Sequence, residues 1–154
     1  MIKHSLLALA LTIPVTTAIA HAGSHEEDAI GARRGYFSLL GSDMGALAAF
    51  AKGEKEFDAV TSQRHADNLK ALTTYSIAHL MVPGTSSTDM AGKTRAKAEI
   101  WTNLDDYMAK AGDFVAAVGE LQANAGTLDG VRANLGKVGG TCKACHKDYR
   151  QKEF

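Results

Sequence analysis

Proline is scarce in this chain. Pro14 and Pro83 are the only two, so long stretches hold no residue that must break a helix. No run of β-branched residues alternates with polar ones at period two, which excludes a sheet of half-buried strands. Charge of one sign is lacking too. Lys plus Arg and Asp plus Glu number 17 each, with no basic stripe and no acidic block, which argues against a nucleic-acid partner. Cysteine is limited to Cys142 and Cys145. A disulfide between them would close a tiny loop and stabilise little, so a structural staple is a poor explanation for the pair. Long apolar runs are missing from all but the N-terminus. The run Ser5 to Ala20 is shorter than the ~20 residues that cross a bilayer. It follows the basic start Met1-Ile2-Lys3-His4 and precedes a small-x-small site, Ala20-His21-Ala22. This is the pattern of an export signal spanning residues 1–22, removed so that the mature chain begins at Gly23. The expectation is one soluble domain over 23–154, in the periplasm, with no membrane anchor.

What is there reads as helix. Segment A is predicted from about Glu26 to Ala51. It opens on Ser24-His25-Glu26-Glu27, a capping box, and carries an apolar seam through Ile30, Phe37, Leu40, Met44, Leu47 and Ala51. Segment B is predicted from about Glu56 to Met81, with Val60, Leu69, Leu72, Ile77 and Leu80 as its seam and Pro83-Gly84 as its stop. A Gly-, Ser- and Thr-rich loop runs from Val82 to about Arg95. Segment C spans about Lys97 to Asn124. Trp101, Leu104, Met108, Ala111, Val115 and Val118 keep three-four spacing, and Ile100, Tyr107, Phe114 and Leu121 form a neighbouring stripe. Segment D spans about Leu128 to Lys152, with Thr127 as N-cap and a seam of Leu128, Val131, Leu135, Val138, Cys142 and Cys145. Short A–B and C–D links make antiparallel neighbours. The predicted fold is all-α, an antiparallel four-helix bundle.

The cysteines continue the seam of segment D without a break. Residues three and four apart share a helix face, so Cys142, Cys145 and His146 point the same way, toward the core. Two thiols at that spacing can each form a thioether to a vinyl group of one flat macrocycle, and the histidine can set a ring nitrogen on its iron. The motif therefore predicts one covalently attached c-type haem (heme c), with His146 as metal ligand. A thioredoxin-like redox pair needs a βαβ context that is missing. A structural zinc site needs four ligands, and the remaining mature histidines, His25, His65 and His79, form no paired motif.

Four blocks together resemble the cytochrome c′ family. They are Gly139 to Arg150 around the cysteines, Ala32 to Leu47 in segment A, Pro83-Gly84-Thr85, and Glu99-Ile100-Trp101. The resemblance covers essentially the whole mature chain. It implies five-coordinate, high-spin iron with His146 as the only axial protein ligand. It implies that Phe37, one turn after Arg33, covers the open face, that Arg33 approaches a haem propionate, and that Arg34, where the family usually has a Gln-like residue, keeps a donor there with a changed charge. Arg150, four after His146, falls on the proximal side by analogy.

By this reading the protein is not an enzyme. It carries electrons and binds small gas ligands, nitric oxide and carbon monoxide, at an apolar face without a donor for dioxygen. Lys143 and Lys147 would rim the site for redox partner proteins. The alternative is a low-spin electron carrier with an axial methionine, for which Met44 is the candidate, although its place on the seam is more often core. A peroxidase would need a distal acid–base pair, and segment A offers only Arg33. His79 reads as a surface residue, Trp101 as core touching the macrocycle. Gly31, Gly35, Gly41 and Gly45 fall four apart in pairs. Each costs about 1 kcal/mol in a helix relative to alanine, so a close approach by haem or by a second subunit is expected. The resemblance implies a homodimer through the first two helices.

Overall fold

The computed structural model describes residues 24–153; the expected signal at 1–22 lies outside them. Four long helices form the bundle: α1 (His25–Lys52), α2 (Ala59–Thr74), α4 (Leu104–Asn124) and α5 (Leu128–Tyr149), with a single-turn helix, α3 (Glu99–Thr102), leading into α4. Side-chain caps set three starts. Ser24 accepts from the Glu27 amide, Asp58 from Thr61 and Thr127 from Gly130, each satisfying an amide left without an intrahelical partner. The Glu27 carboxylate takes Lys93 Nζ at 2.8 Å. Gly53, at φ 75°, ends α1, a left-handed conformation suited to glycine.

Two boundaries depart from the sequence expectation, and both shape the site. Segment B was expected to reach Met81, yet α2 stops at Thr74. The Thr73 and Thr74 hydroxyls donate to the carbonyls of Lys70 and Ala71, each at 2.7 Å. Such local bonds compete with the helix ladder, and Tyr75 leaves in an extended conformation. The expected seam residue Val60 is exposed. Segment C is split at Asn103, whose φ of −134° takes it out of the helix. Asparagine favours such ends, and Asp105 and Asp106 then fill the first turn of α4, where negative charge is favourable.

The helices run up and down. Tyr36 donates to the Leu72 carbonyl and Asp43 meets His65, so α1 and α2 are antiparallel. Gln122 donates to Asp67, while Gly126 lies by Gln63 and Gly119 by Lys70, so α2 and α4 are antiparallel as well. Lys137 pairs with Glu120 and Asp148 with Lys110, which aligns α4 against α5 in the same sense. Two buried clusters result. The larger joins Leu40, Leu47, Ala66, Leu69, Val118, Leu121, Val131 and Val138. The smaller joins Ile100, Tyr107 and Tyr149, with Met81, Trp101 and Cys145 packed against it.

Candidate haem site

The register of the helices brings the predicted residues to one level. Arg132 Nε donates to the Ala51 carbonyl at 3.0 Å, tying α5 to α1. Equal rises back along α1 and forward along α5 make Phe37 level with His146. The α4–α5 ion pairs place Cys142 and Cys145 beside the stretch from Ala111 to Val115. The α2–α4 contacts place Thr74, the last residue of α2, opposite the same stretch. Beyond it α2 no longer covers α4, and Leu104, Met108 and Val115, expected as core seam, are exposed.

Phe37 registers this opening most directly. It is 47% exposed, while Arg33 and Leu40, its neighbours a turn either way on the same face, are 4% and 8%. On α5 the burial of Val131, Asn134 and Val138 gives way at Cys142, Cys145 and His146, all half-buried. The cysteines thus bridge the two clusters: Val138, one turn before Cys142, belongs to the larger, and Cys145 packs on the smaller. An uncovered apolar wall on α4, an uncovered ring on α1 and two inward thiols on α5 fit a flat apolar macrocycle inserted at that level.

The electrostatics agree with attachment rather than thiol redox chemistry. Both cysteines are free. Burial pushes both thiols up, the opposite of what a reactive thiolate pair requires. The His146 imidazole is pushed down, by burial first and then by Arg150 and Arg95, which keeps a nitrogen lone pair available at neutral pH. Arg150 Nη1 lies 3.4 Å from His146 Nδ1. Among the described residues, no group of three or more His, Cys, Asp or Glu side chains could hold a metal ion, so the zinc alternative finds no ligand set there.

Arg33 and Arg34 part company. Arg34 is exposed on α1, in a shallow hollow with Glu27, Ile30, Gly31 and Lys93. Arg33 is buried, and its Nη groups donate to the Leu80 carbonyl at 3.1 Å, to Thr85 Oγ1 at 2.7 Å, to the Thr85 carbonyl at 2.9 Å and to Thr94 Oγ1 at 3.5 Å. Its guanidinium also lies 5.7 Å from the centre of the Trp101 ring. Sequence reasoning missed this clamp on the loop, although the Pro83-Gly84-Thr85 block marked its place. Tyr107, packed beside Cys145, has its phenol pushed up to about 12, mainly by burial.

Comparison with known proteins now decides the family. The cytochrome c′ family model matches residues 28–150. The chain belongs to the cytochrome c′ family. It is 44% identical over 148 residues to a cytochrome c′ of Cereibacter sphaeroides, covering 96% of each chain. A solved structure of cytochrome c′ from Rhodobacter Spheriodes superposes with a TM-score of 0.80 at 46% identity, covering 83% of this chain and 98% of the other. A nitric oxide complex of a cytochrome c prime mutant from Alcaligenes xylosoxidans superposes at 0.73 and 33% identity, covering 84% of this chain and 98% of the other. The cofactor of the family is a covalent c-type haem, one per chain, and the all-α bundle is the family's fold. Met44 packs on the larger cluster, and His79 is exposed beside Tyr75. Lys143 and Lys147 are exposed on α5. A Cβ on Gly31, Gly35, Gly41 or Gly45 would meet nothing within 4 Å, so the close approach expected of these glycines is not made within the chain.

Proposed function

We propose that this chain is a periplasmic haem protein whose iron is five-coordinate and high-spin, carrying single electrons and binding nitric oxide and carbon monoxide. The observation that carries the reading is Phe37, half-exposed between two buried neighbours and level with His146. When bound, the haem supplies one-electron chemistry and an open position for an uncharged diatomic. The rest falls to side chains. Cys142 and Cys145 would hold the group covalently as thioethers. His146 would supply its nitrogen ligand. Phe37 would crowd the ligand side and keep out large or charged molecules. Arg33 is close by but spends its Nη hydrogens on the loop, and Tyr36 spends its hydroxyl on Leu72. The face thus lacks a free donor to hold dioxygen, which favours nitric oxide and carbon monoxide. Arg33 holds the wall of the site through the loop and, with Arg34, would meet the haem propionates.

The low-spin alternative fits less well, because Met44 is two turns from Phe37 and packs into the larger core cluster. Absorption and EPR spectra of the ferric protein separate the two: high-spin iron at neutral pH is expected, and a six-coordinate low-spin spectrum would overturn the reading. Cys142→Ala or Cys145→Ala is expected to impair covalent attachment. The signal at 1–22 carries the chain across the inner membrane, so the mature protein should begin at Gly23 by mass spectrometry. No helix among the described residues is long and apolar enough to cross a membrane. The outward glycine pairs of α1 and the exposed Val60 of α2 support a homodimer through these helices. Sedimentation showing only monomer at micromolar concentration refutes it.

A further inference from the structure

Four rings lie in series beside the open face. Phe37 meets Tyr36 edge to face with centroids 5.3 Å apart, Tyr36 stacks on Tyr75 at 6.1 Å, and Tyr75 meets His79 at 5.7 Å. The first two rings belong to α1. The last two belong to the segment that leaves α2 at Thr74, so the early end of that helix creates the series. Tyr36 is half-buried, and the rings beyond it, Tyr75 and His79, are exposed. The two tyrosines differ in chemistry. Tyr36 donates to a carbonyl at 3.1 Å, which cannot take its proton. The Tyr75 hydroxyl lies 3.3 Å from His79 Nε2, which can. A phenol gives up an electron readily only when its proton has somewhere to go.

Resting on the reading of Phe37 as the cover of the iron, we propose that Phe37, Tyr36 and Tyr75 form a relay that discharges an oxidising equivalent from the haem to the surface, with His79 as proton acceptor. The oxidant is a hydroperoxide. Its O–O bond breaks, two electrons pass to it from the haem site, and hydrogen peroxide leaves as two waters with protons from solvent. One electron is returned by Tyr75. Its O–H bond breaks, the proton goes to His79 Nε2, and the electron crosses Tyr36 and Phe37. A neutral phenoxyl radical on Tyr75 and an imidazolium on His79 result, and the second oxidising equivalent stays at the haem. A water-soluble enediol or phenol then gives the radical an electron, and His79 returns the proton. The open face has no acid–base pair to turn peroxide over quickly, so a path outward spares the macrocycle. Tyr149 also has a proton acceptor, Asp106 at 2.6 Å, but its ring is buried and meets no external donor.

The test treats the ferric holoprotein with hydrogen peroxide and follows freeze-quench EPR and visible absorption together. A tyrosyl signal is expected. It should be lost in Tyr75→Phe, which removes only an exposed hydroxyl, weakened in His79→Gln, and kept in Tyr149→Phe. Haem bleaching should be faster in Tyr75→Phe. A signal that survives Tyr75→Phe, or that disappears in Tyr149→Phe, overturns the relay. A haem spectrum that changes without any tyrosyl signal overturns the relay alone. A haem spectrum that peroxide leaves unchanged overturns the open-face reading and the relay with it.

Discussion

Phe37 lies on the apolar seam of α1, yet the bundle leaves about half of it uncovered. Truncation should therefore cost less than the ~3–5 kcal/mol of a fully buried phenylalanine. For Phe37→Ala we expect about 1–2 kcal/mol by denaturant titration, since roughly half the usual area is returned to water. Carbon monoxide association measured by stopped flow should become faster, with covalent haem retained. Gly130 presents the opposite case. It stands in the first turn of α5, where a Cβ would run into the Asn124 carbonyl and crowd Thr127 Oγ1. Gly130→Ala should lower stability by about 1–3 kcal/mol through overpacking, visible as a lower melting temperature. It lies far along α5 from Cys142, so the haem spectrum should not change. Among the helical glycines of α1, by contrast, alanine meets no intrachain obstacle.

At the scale of elements, the site exists because α2 is short. Had the helix continued to Met81, as its apolar spacing suggests, it would have run on along α4 as far as the level of Met108 and closed the side of the bundle. Thr73 and Thr74 turn the chain away, and the segment that follows is fastened elsewhere. Arg33 grips it at Leu80, Thr85 and Thr94. Ser87 donates to the Ala96 carbonyl, while Lys97 donates to Tyr149 and Gln151 to Arg95, which ties the loop to the end of α5. Arg33→Met keeps the buried stem and removes the donors. It leaves buried carbonyls without partners, at about 1–3 kcal/mol each. The expected result is faster amide hydrogen exchange across residues 80–96, with α4 and α5 protected as before. Unchanged exchange in the loop would count against the clamp.

At the scale of the molecule, the two core clusters meet at the cysteines, and the α2–α4 contact anchors the larger one. Asp67 takes part from the surface. Hydrogen bonds from Gln122, and then Gln63, hold its carboxyl below the usual aspartate range. A carboxyl lowered by folding adds stability that is present above its unfolded value, about 3.9, and lost as pH falls through the folded one. Melting temperature should therefore decline below about pH 4. Part of that decline should be absent in Asp67→Asn, where the side chain has no proton to gain. The group is exposed, so the contribution is small.

The sequence by itself determined the bundle, its antiparallel order and the attachment motif, because each is local. Apolar spacing of three and four writes a helix face, short links force antiparallel neighbours, and Cys142, Cys145 and His146 share a face simply by their separation. Val60, Leu104, Met108 and Val115 carry the same apolar character as true core residues, so no local signal could say that they stay uncovered. That was decided by where α2 ends relative to α4. Likewise, Arg33 reads as a surface cation until the loop fifty residues on closes over it. Tertiary structure alone set these outcomes, because burial depends on what packs opposite a side chain, and what packs opposite is distant in the chain.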